Sequence, residues 1–317
     1  MQKQDITAIV LTKNEEMHIE RCINSVLAVC SKVLVVDSYS TDRTCELASL
    51  LGAKVVQHEF VCQAQQFNWA IDHLDIDTEW IWRVDADEYI EPALAQKVAG
   101  VLNSCGQNVN GIYVNKKIVF LGKPLLHGGW YPAQQIKIIR RGHGRSENKL
   151  MDEHIIVTDG ETISVDGDQT DENLNNLTWW TEKHNKYADR EVVNMLSMAY
   201  GMDEYEKEVT PKLFGNGAER KRWLKIKYAR MPLYIRPFLN FFVRYVLYGG
   251  FLDGNHRWYV LQGFWYRYLV DAKIYELKKK FDFDDEKIML YIDNYHKNNR
   301  GGVIFLSFID EGRRYAA

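Results

Sequence analysis

Several features that would place the chain in a familiar class are missing from its 317 residues. No run of 18 residues is both apolar and uncharged, which argues against a membrane-spanning helix. The first residues lead directly into a predicted strand without the apolar core of a signal peptide, so we expect a cytoplasmic protein. The five cysteines are odd in number and form no Cys-x-x-Cys pair, which predicts buried thiols in a reducing compartment. A GxGxxG motif is also missing, which disfavours a dehydrogenase.

What is present is typical of a folded α/β protein. Hydrophobic residues make up 46% of the chain and charged residues 26%, which excludes a disordered chain. The formal net charge of −3 hides an asymmetry. Between Lys221 and Lys280, 13 Lys and Arg residues stand against three acids, and the same segment holds 16 of the 40 aromatic residues. We therefore predict an acidic body followed by a basic, aromatic C-terminal region.

The first hundred residues alternate between short apolar runs and segments with helical spacing. The apolar runs are Ile6–Leu11, Val33–Val36, Val55–Val56 and Trp80–Val84. Such alternation predicts an α/β fold, with a Rossmann-like, mostly parallel sheet flanked by helices. We assign residues 1–168 to this catalytic domain and residues 169–317 to a mostly helical region, with a first helix from about Glu172 to Tyr200.

Acidic and polar residues follow three of the predicted strands, and the carboxyl ends of parallel strands meet at one sheet edge. The segments are Thr12–Glu16, Asp37–Asp42 and Asp85–Glu88. Carboxylates two residues apart, as in Asp85-Ala86-Asp87, suit Mg²⁺ or Mn²⁺ together with substrate phosphate oxygens. The alternative is a solvated acidic turn that caps the next helix, near Pro92.

These three segments resemble the family 2 glycosyltransferases of the GT-A fold, over about residues 5–100. The resemblance is to the branch of bacterial lipopolysaccharide-core and surface-polysaccharide transferases, which often carries segments like Gly128–Pro132 and Gly250–Gly254. It implies a UDP-sugar donor and Mn²⁺ or Mg²⁺ as cofactor. The donor-binding residues that it implies are Thr12, Asn14, Glu15, Asp37, Ser38, Asn68, Asp85, Ala86 and Asp87.

Within that set, the resemblance gives individual roles. Asp37 would accept a hydrogen bond from the base N3–H, which favours uracil because cytosine lacks that proton. Asp87 and Asp85 would hold the metal. The alternative for Asp37 is turn or cap chemistry. Related enzymes often have a basic residue at the position of Phe67, so Arg83 or Lys13 would have to replace it. Asn68 is equally well explained by packing within a helix.

The catalytic base is expected on a later loop, near the acceptor hydroxyl. Glu153 and Asp152 are the candidates, with a slight preference for Glu153. His154 is a candidate third metal ligand, although a histidine that begins an apolar strand is more often structural. Trp130 is interpreted equally well as an acceptor-pocket residue or as a core residue.

The C-terminal region has a broadly apolar helix over Pro237–Tyr248, with a single polar stripe of Arg236, Asn240 and Arg244. Such a helix must be buried in protein or in a membrane interface. We favour an anionic membrane surface, with an oligomer interface or internal packing as alternatives, and we expect no nucleic-acid binding.

The sequence thus predicts a metal-dependent, inverting hexosyltransferase acting on a lipid-linked oligosaccharide or lipid A–core acceptor at the cytoplasmic face of the inner membrane. The alternatives are a sugar nucleotidyltransferase, which would need a glycine-rich loop after the first strand, and a membrane-bound scaffold with a degenerate nucleotide site.

Overall fold

The computed structural model describes residues 2–147, 154–202, 212–214 and 217–300. The chain forms two units. The first comprises Met1–Asn175 and the short segment Gly250–Asn255, and the second comprises Asn176–Gly249 and His256–Ala317. The sequence-based boundary at residue 168 falls inside a strand that continues to Glu172.

The first unit is built from eleven strands and four helices within the described residues. The strands are β1 Gln4–Thr12, β2 Cys30–Asp37, β3 Lys54–Gln57, β4 Trp80–Asp85, β5 Glu88–Ile90, β6 Val109–Phe120, β7 Lys123–Pro124, β8 Ala133–Arg140, β9 Gly144–Ser146, β10 Ile155–Val157 and β11 Glu161–Glu172. The helices are α1 Ile19–Leu27, α2 Thr44–Leu50, α3 Gln63–His73 and α4 Pro92–Leu102. The four predicted apolar runs lie in β1 to β4.

The main sheet has the strand order β3-β2-β1-β4-β8-β6-β11-β5, with β7 paired to β6. Strands β1 to β4 are mutually parallel, and β8 runs antiparallel between β4 and β6. In the register, Thr12 is opposite Asp37 and Leu11 is opposite Asp85. The segments that follow β1, β2 and β4 therefore start side by side at one sheet edge. The predicted GT-A fold is confirmed.

Both faces of this sheet are covered by apolar layers. On one face Ile19, Ile23 and Val26 of α1 are fully buried, as their helical spacing predicts. On the other face Phe67 and Ala70 of α3 pack beneath β1 and β2. The strands are buried on both sides, which explains why their sequences are continuous apolar runs rather than alternating ones.

The second unit is helical, as predicted. Its helices are α5 Leu177–Tyr200, α6 Gly217–Ala229, α7 Ile235–Phe241, α8 His256–Trp258, α9 Tyr266–Lys280 and α10 Asp285–Arg300, with π-helical segments at Phe242–Leu247 and Tyr259–Trp265. The expected helix start near Glu172 is wrong. Glu172 ends β11, and α5 begins at Leu177 after Asn176, whose side chain accepts a hydrogen bond from the backbone of Trp179. Within the described residues, no helix is both long enough and apolar enough to cross a membrane.

Candidate functional site

The loops that follow β1 and β2 are joined by side-chain hydrogen bonds. The Thr12 hydroxyl donates to Oδ1 of Asp37 over 3.0 Å. The backbone amide of Asn14 donates to the Ser40 hydroxyl over 2.8 Å, and the amide of Thr41 donates to the Asn14 side chain over 2.8 Å. Three of the predicted donor-binding residues, Thr12, Asn14 and Asp37, therefore lie in one connected network.

Glu15 makes a contact that the sequence did not reveal. Its Oε2 lies 2.6 Å from Nδ1 of His18, a fully buried histidine. Nε2 of His18 accepts a 2.8 Å hydrogen bond from the backbone amide of Leu174. Because Nε2 is an acceptor, the ring proton resides on Nδ1 and is donated to Glu15. Glu15 thus anchors the loop after β1 to the segment that follows β11.

The side chain of Asp37 is fully buried and is held by several donors. The backbone amide of Ser40 donates over 2.8 Å and Gln57 donates over 3.2 Å, in addition to the hydroxyls of Thr12 and Ser40. Burial raises the pKa of this carboxyl, but the hydrogen bonds from Ser40 and Gln57 outweigh it and hold the pKa below its ordinary value. Asp37 is therefore a buried anion whose two oxygens both accept hydrogen bonds from the surrounding loops.

Ser38 is held by Gln66 and, through it, by His58, two residues that the sequence did not indicate. Nε2 of Gln66 donates to the Ser38 hydroxyl over 3.1 Å, and its Oε1 lies 2.7 Å from Nδ1 of His58. The His58 ring stacks on Trp69 with the centroids 4.0 Å apart. Isolated Gln and His residues carry no sequence signal, because their proximity arises only when α3 packs on the folded sheet near the segment that follows β3.

The turn after β4 presents two partly exposed carboxylates on either side of the buried Ala86. Oδ1 of Asp85 lies 3.8 Å from the guanidinium of Arg83, a loose ion pair. Oδ2 of Asp87 accepts a hydrogen bond of 3.1 Å from Asn173. Two carboxylates on one tight turn provide the hard oxygen ligands that Mg²⁺ and Mn²⁺ prefer, and such cations commonly take their remaining ligands from substrate phosphates and water. The donor set fits such a cation.

Glu88, the fourth residue of this acidic segment, is not part of the exposed turn. Its side chain is fully buried, and both carboxylate oxygens lie 2.9 Å from Nζ of Lys137. The backbone amide of Asp85 also donates to it over 3.1 Å, and Lys116 lies 3.6 Å away. Burial opposes the charge of Lys116, but Asp171 and Glu88 raise its pKa well above the ordinary value. Glu88 therefore stabilises the turn through its buried contacts with Lys137 and the backbone amide of Asp85.

Arg83, one of the two residues expected to replace a basic residue at position 67, lies beside Phe67. Its guanidinium carbon lies 5.7 Å from the centre of the Phe67 ring. The same group donates to the Ser146 hydroxyl and to Gln63, each over 3.1 Å. Asn68 makes two backbone hydrogen bonds with Ser146, of 2.9 and 3.0 Å. The Asn68 side chain thus fastens β9 to α3, the packing role weighed for it.

The structure does not group His154 with the two aspartates. His154 is exposed, and its ring nitrogen lies 3.4 Å from Glu147. Within the described residues, no three His, Cys, Asp or Glu side chains gather as a possible metal-binding group. The expected role of His154 as a third ligand is therefore not supported, because Glu147 fixes it at the start of β10. The candidate bases Asp152 and Glu153 lie outside the described residues.

The two later motifs meet in the first unit. The Asp253 carboxylate accepts hydrogen bonds from the backbone amides of Leu126 and His127, over 3.0 and 3.1 Å. Gly128 and Gly129 have φ values of 67° and 71°, a conformation that favours glycine. The Tyr131 hydroxyl donates to Asp168 over 2.9 Å. Trp130 is neither fully buried nor fully exposed, so both of its interpretations remain open.

Comparison with known proteins agrees with this architecture. Residues 7–152 match the family model of glycosyl transferase family 2. An uncharacterized glycosyltransferase from Rickettsia bellii is 39% identical over 32% of this chain and 34% of its own length. The lipopolysaccharide core biosynthesis glycosyltransferase LpsC from Rhizobium meliloti is 27% identical over 45% of this chain and 53% of its own length. The resemblance to family 2 glycosyltransferases is thus confirmed.

The extent of these matches is limited. The chain spans about a third of the length of the first curated relatives that it matches. Among solved structures, glucosyl-3-phosphoglycerate synthase from Mycobacterium tuberculosis, in complex with Mn²⁺, UDP and glucosyl-3-phosphoglycerate, is 22% identical. That match covers 35% of this chain and 43% of the synthase, with a TM-score of 0.30.

Proposed function

We propose that this protein is a metal-dependent, inverting glycosyltransferase that moves a hexose from a UDP-sugar, such as UDP-glucose, to a lipid-linked oligosaccharide or lipopolysaccharide-core acceptor. One observation carries the proposal. Asp37 and Asp85 end the two parallel strands that flank β1, and Asp87 lies two residues after Asp85, so all three are at one sheet edge within the segment that matches family 2. The similarity of the chain to LpsC supports a core-glycan acceptor in bacterial glycan biosynthesis.

Asp37 would select the base of the donor. Its carboxylate is an anionic acceptor, and the hydroxyls of Thr12 and Ser40 occupy one of its oxygens. An imide N–H of uracil would replace one of these hydroxyl donors without leaving a buried charge unpaired. Cytosine presents an acceptor at the same position and would be rejected.

Asp85 and Asp87 would hold Mn²⁺ or Mg²⁺ together with the donor diphosphate. The bound cation would supply positive charge to the departing nucleoside diphosphate. Arg83 would add a second, fixed positive charge at this end of the site, in place of the basic residue that the family resemblance implies at position 67. Because it packs against Phe67 and is bonded to Ser146 and Gln63, its position needs no reorganisation.

The acceptor side would be formed by the loop that contains Asp152 and Glu153. One of these carboxylates would take the proton of the acceptor hydroxyl as that oxygen attacks the anomeric carbon from the face opposite the diphosphate. We place the enzyme in the cytoplasm, peripherally bound to the inner membrane, where lipid-linked acceptors are accessible.

Hydrolysis and transfer assays with a set of nucleotide sugars test this proposal. Wild-type protein should act on UDP-glucose or another UDP-hexose with Mn²⁺ or Mg²⁺, and lose activity in excess chelator. Asp87→Asn should lower turnover at least about a hundredfold, because the cation and diphosphate lose a ligand. Asp77→Asn is the matched control, since Asp77 is 62% exposed in an ion pair with Lys32.

Two outcomes would contradict the proposal. Full activity of Asp87→Asn, or of wild type in chelator, would remove the metal-binding role of the aspartates. Release of pyrophosphate from a nucleoside triphosphate would indicate a nucleotidyltransferase, and inactivity toward every donor would favour the scaffold.

A further inference from the structure

The broadly apolar helix of the second unit has its polar residues turned inward and its apolar residues turned outward, the reverse of an ordinary surface helix. Arg236, on α7, is 1% exposed. Asn240 donates to the backbone carbonyl of Gly263 over 3.0 Å, and Arg244 lies 3.4 Å from the Asn240 side chain. The polar stripe that the sequence showed therefore faces the interior of the unit.

A buried ion pair fixes this orientation. Nε of Arg236 lies 2.7 Å from Oδ1 of Asp271, whose other oxygen accepts from the backbone amide of Tyr234 over 2.7 Å. Arg236 also donates to the carbonyl of Ala229 over 2.8 Å. Removing either charge from its partner would leave a buried ion uncompensated. The helix cannot rotate about its axis to hide its apolar side without breaking this pair.

The apolar face left outside consists of large side chains that recur at helical spacing over α7 and the π-helical segment that continues it. Their exposed fractions range from 43% to 62%, and they are Ile235, Phe238, Leu239, Phe242, Val246 and Leu247. Isolated exposed apolar residues are common, but a continuous face of six is typical of an interaction surface.

Exposed basic side chains lie near the first turn of this helix. α6 ends at Ala229, the residue that Arg236 contacts, so the exposed Lys227 and Arg230 lie beside the start of α7. The residues from 221 to 280 carry ten more positive than negative charges, an excess that the ion pair between Arg236 and Asp271 leaves unchanged. Excess lysine beside an apolar and aromatic face is unfavourable in the core of a protein interface but suits anionic lipid headgroups.

We propose that the apolar face is a docking surface for an anionic lipid bilayer, into which Phe238 and Phe242 insert while Lys227 and Arg230 contact the headgroups. This inference deepens the membrane location proposed above, on which it rests, and it requires no catalytic step. Donor turnover and bilayer binding therefore succeed or fail separately.

Vesicle flotation of the full chain tests the surface, with phosphatidylcholine vesicles that either contain or lack phosphatidylglycerol. Phe238→Ser with Phe242→Ser should lower partitioning at least about tenfold, because two inserted side chains are lost. Lys227→Gln with Arg230→Gln should lower it several-fold on anionic vesicles only, and added salt should reproduce that loss. Leu290→Ser with Tyr275→Ser is the control, since these residues are 61% and 44% exposed elsewhere in the same unit.

Circular dichroism checks that each variant is folded. If the double phenylalanine variant is unfolded, Leu239→Ser with Leu247→Ser is used in its place. Unchanged partitioning of both apolar variants would overturn the proposal. A wild-type protein that does not bind vesicles but forms a dimer in sedimentation equilibrium would also overturn it, if the apolar variants lose that dimer. A second copy of the chain would then cover the face.

Discussion

Oδ1 of Asp253 lies 2.6 Å from Nδ1 of His127, 126 positions earlier in the chain. The Asp253 side chain is 1% exposed, whereas that of His127 is 43% exposed. The same carboxylate accepts hydrogen bonds from the backbone amides of Leu126 and His127, so this one acid stabilises the loop that precedes Gly128 and Gly129. Nearby, Asn255 donates to the carbonyl of Phe120 over 2.8 Å. These contacts explain why a six-residue segment from the midst of the helical region belongs to the first unit.

The first prediction concerns this contact. Asp253→Ala should lower the free energy of unfolding by about 2–4 kcal/mol, because it leaves two backbone amides and a ring N–H without their acceptor. His127→Ala should cost about 1 kcal/mol, since it removes one of these bonds at a partly exposed side chain. Urea unfolding followed by tryptophan fluorescence measures both. Equal losses for the two variants would show that the backbone amides do not depend on Asp253.

The second prediction concerns Arg83 as a diphosphate contact. Arg83→Gln should weaken binding of UDP with Mg²⁺ by about ten- to a hundredfold, because one charge-assisted contact is lost. Arg83→Lys should weaken it less, since the charge is kept while the hydrogen bonds to Ser146 and Gln63 are not. Isothermal titration calorimetry measures the affinity. Arg145→Gln, which alters an exposed ion pair with Asp72, is the control. Wild-type affinity in Arg83→Gln would exclude the contact.

The third prediction is a pH dependence in the second unit. The His184 ring stacks on Trp180 with the centroids 3.6 Å apart. Burial lowers the pKa of His184 to about 4, with a contribution from Lys183, against the opposing hydrogen bond to the Trp180 carbonyl. The unfolded chain therefore binds a proton near pH 6.5 that the folded chain does not bind until about pH 4. The stabilising contribution is complete above pH 6.5 and is lost as the pH falls through this window.

His184→Phe keeps an aromatic ring against Trp180 but has no titratable group. Between pH 7.5 and pH 4, the wild type should lose up to about 3 kcal/mol more stability than this variant. Urea unfolding by circular dichroism across this pH range measures the difference. Parallel stability curves for the two proteins would show that His184 is not the group responsible.

The sequence predicted the elements of the site better than their connections. Apolar runs identified β1 to β4, because strands buried on both faces need continuous apolar residues. Parallel pairing then required the segments after Leu11, Val36 and Val84 to share an edge. The roles of Gln66, His58 and His18 were not predictable, because each depends on a neighbour that is distant in sequence. The hydrogen bonds of Asn68 to Ser146 agree with its packing alternative, and the grouping of His154 with the aspartates was not supported.

The sequence by itself determined the α/β class, the acidic edge and the basic, aromatic character of the second unit, because these follow from residue order and composition. Only the tertiary structure decided which acids face outward. Glu88 and Asp87 are adjacent in sequence, yet Glu88 is buried on Lys137 while Asp87 stays at the surface. It also decided which side of the helix at Ile235–Phe241 is exposed, because the partner of Arg236 is Asp271, on a different helix. Periodicity places residues on one face, but only a distant partner of opposite charge determines where that face points.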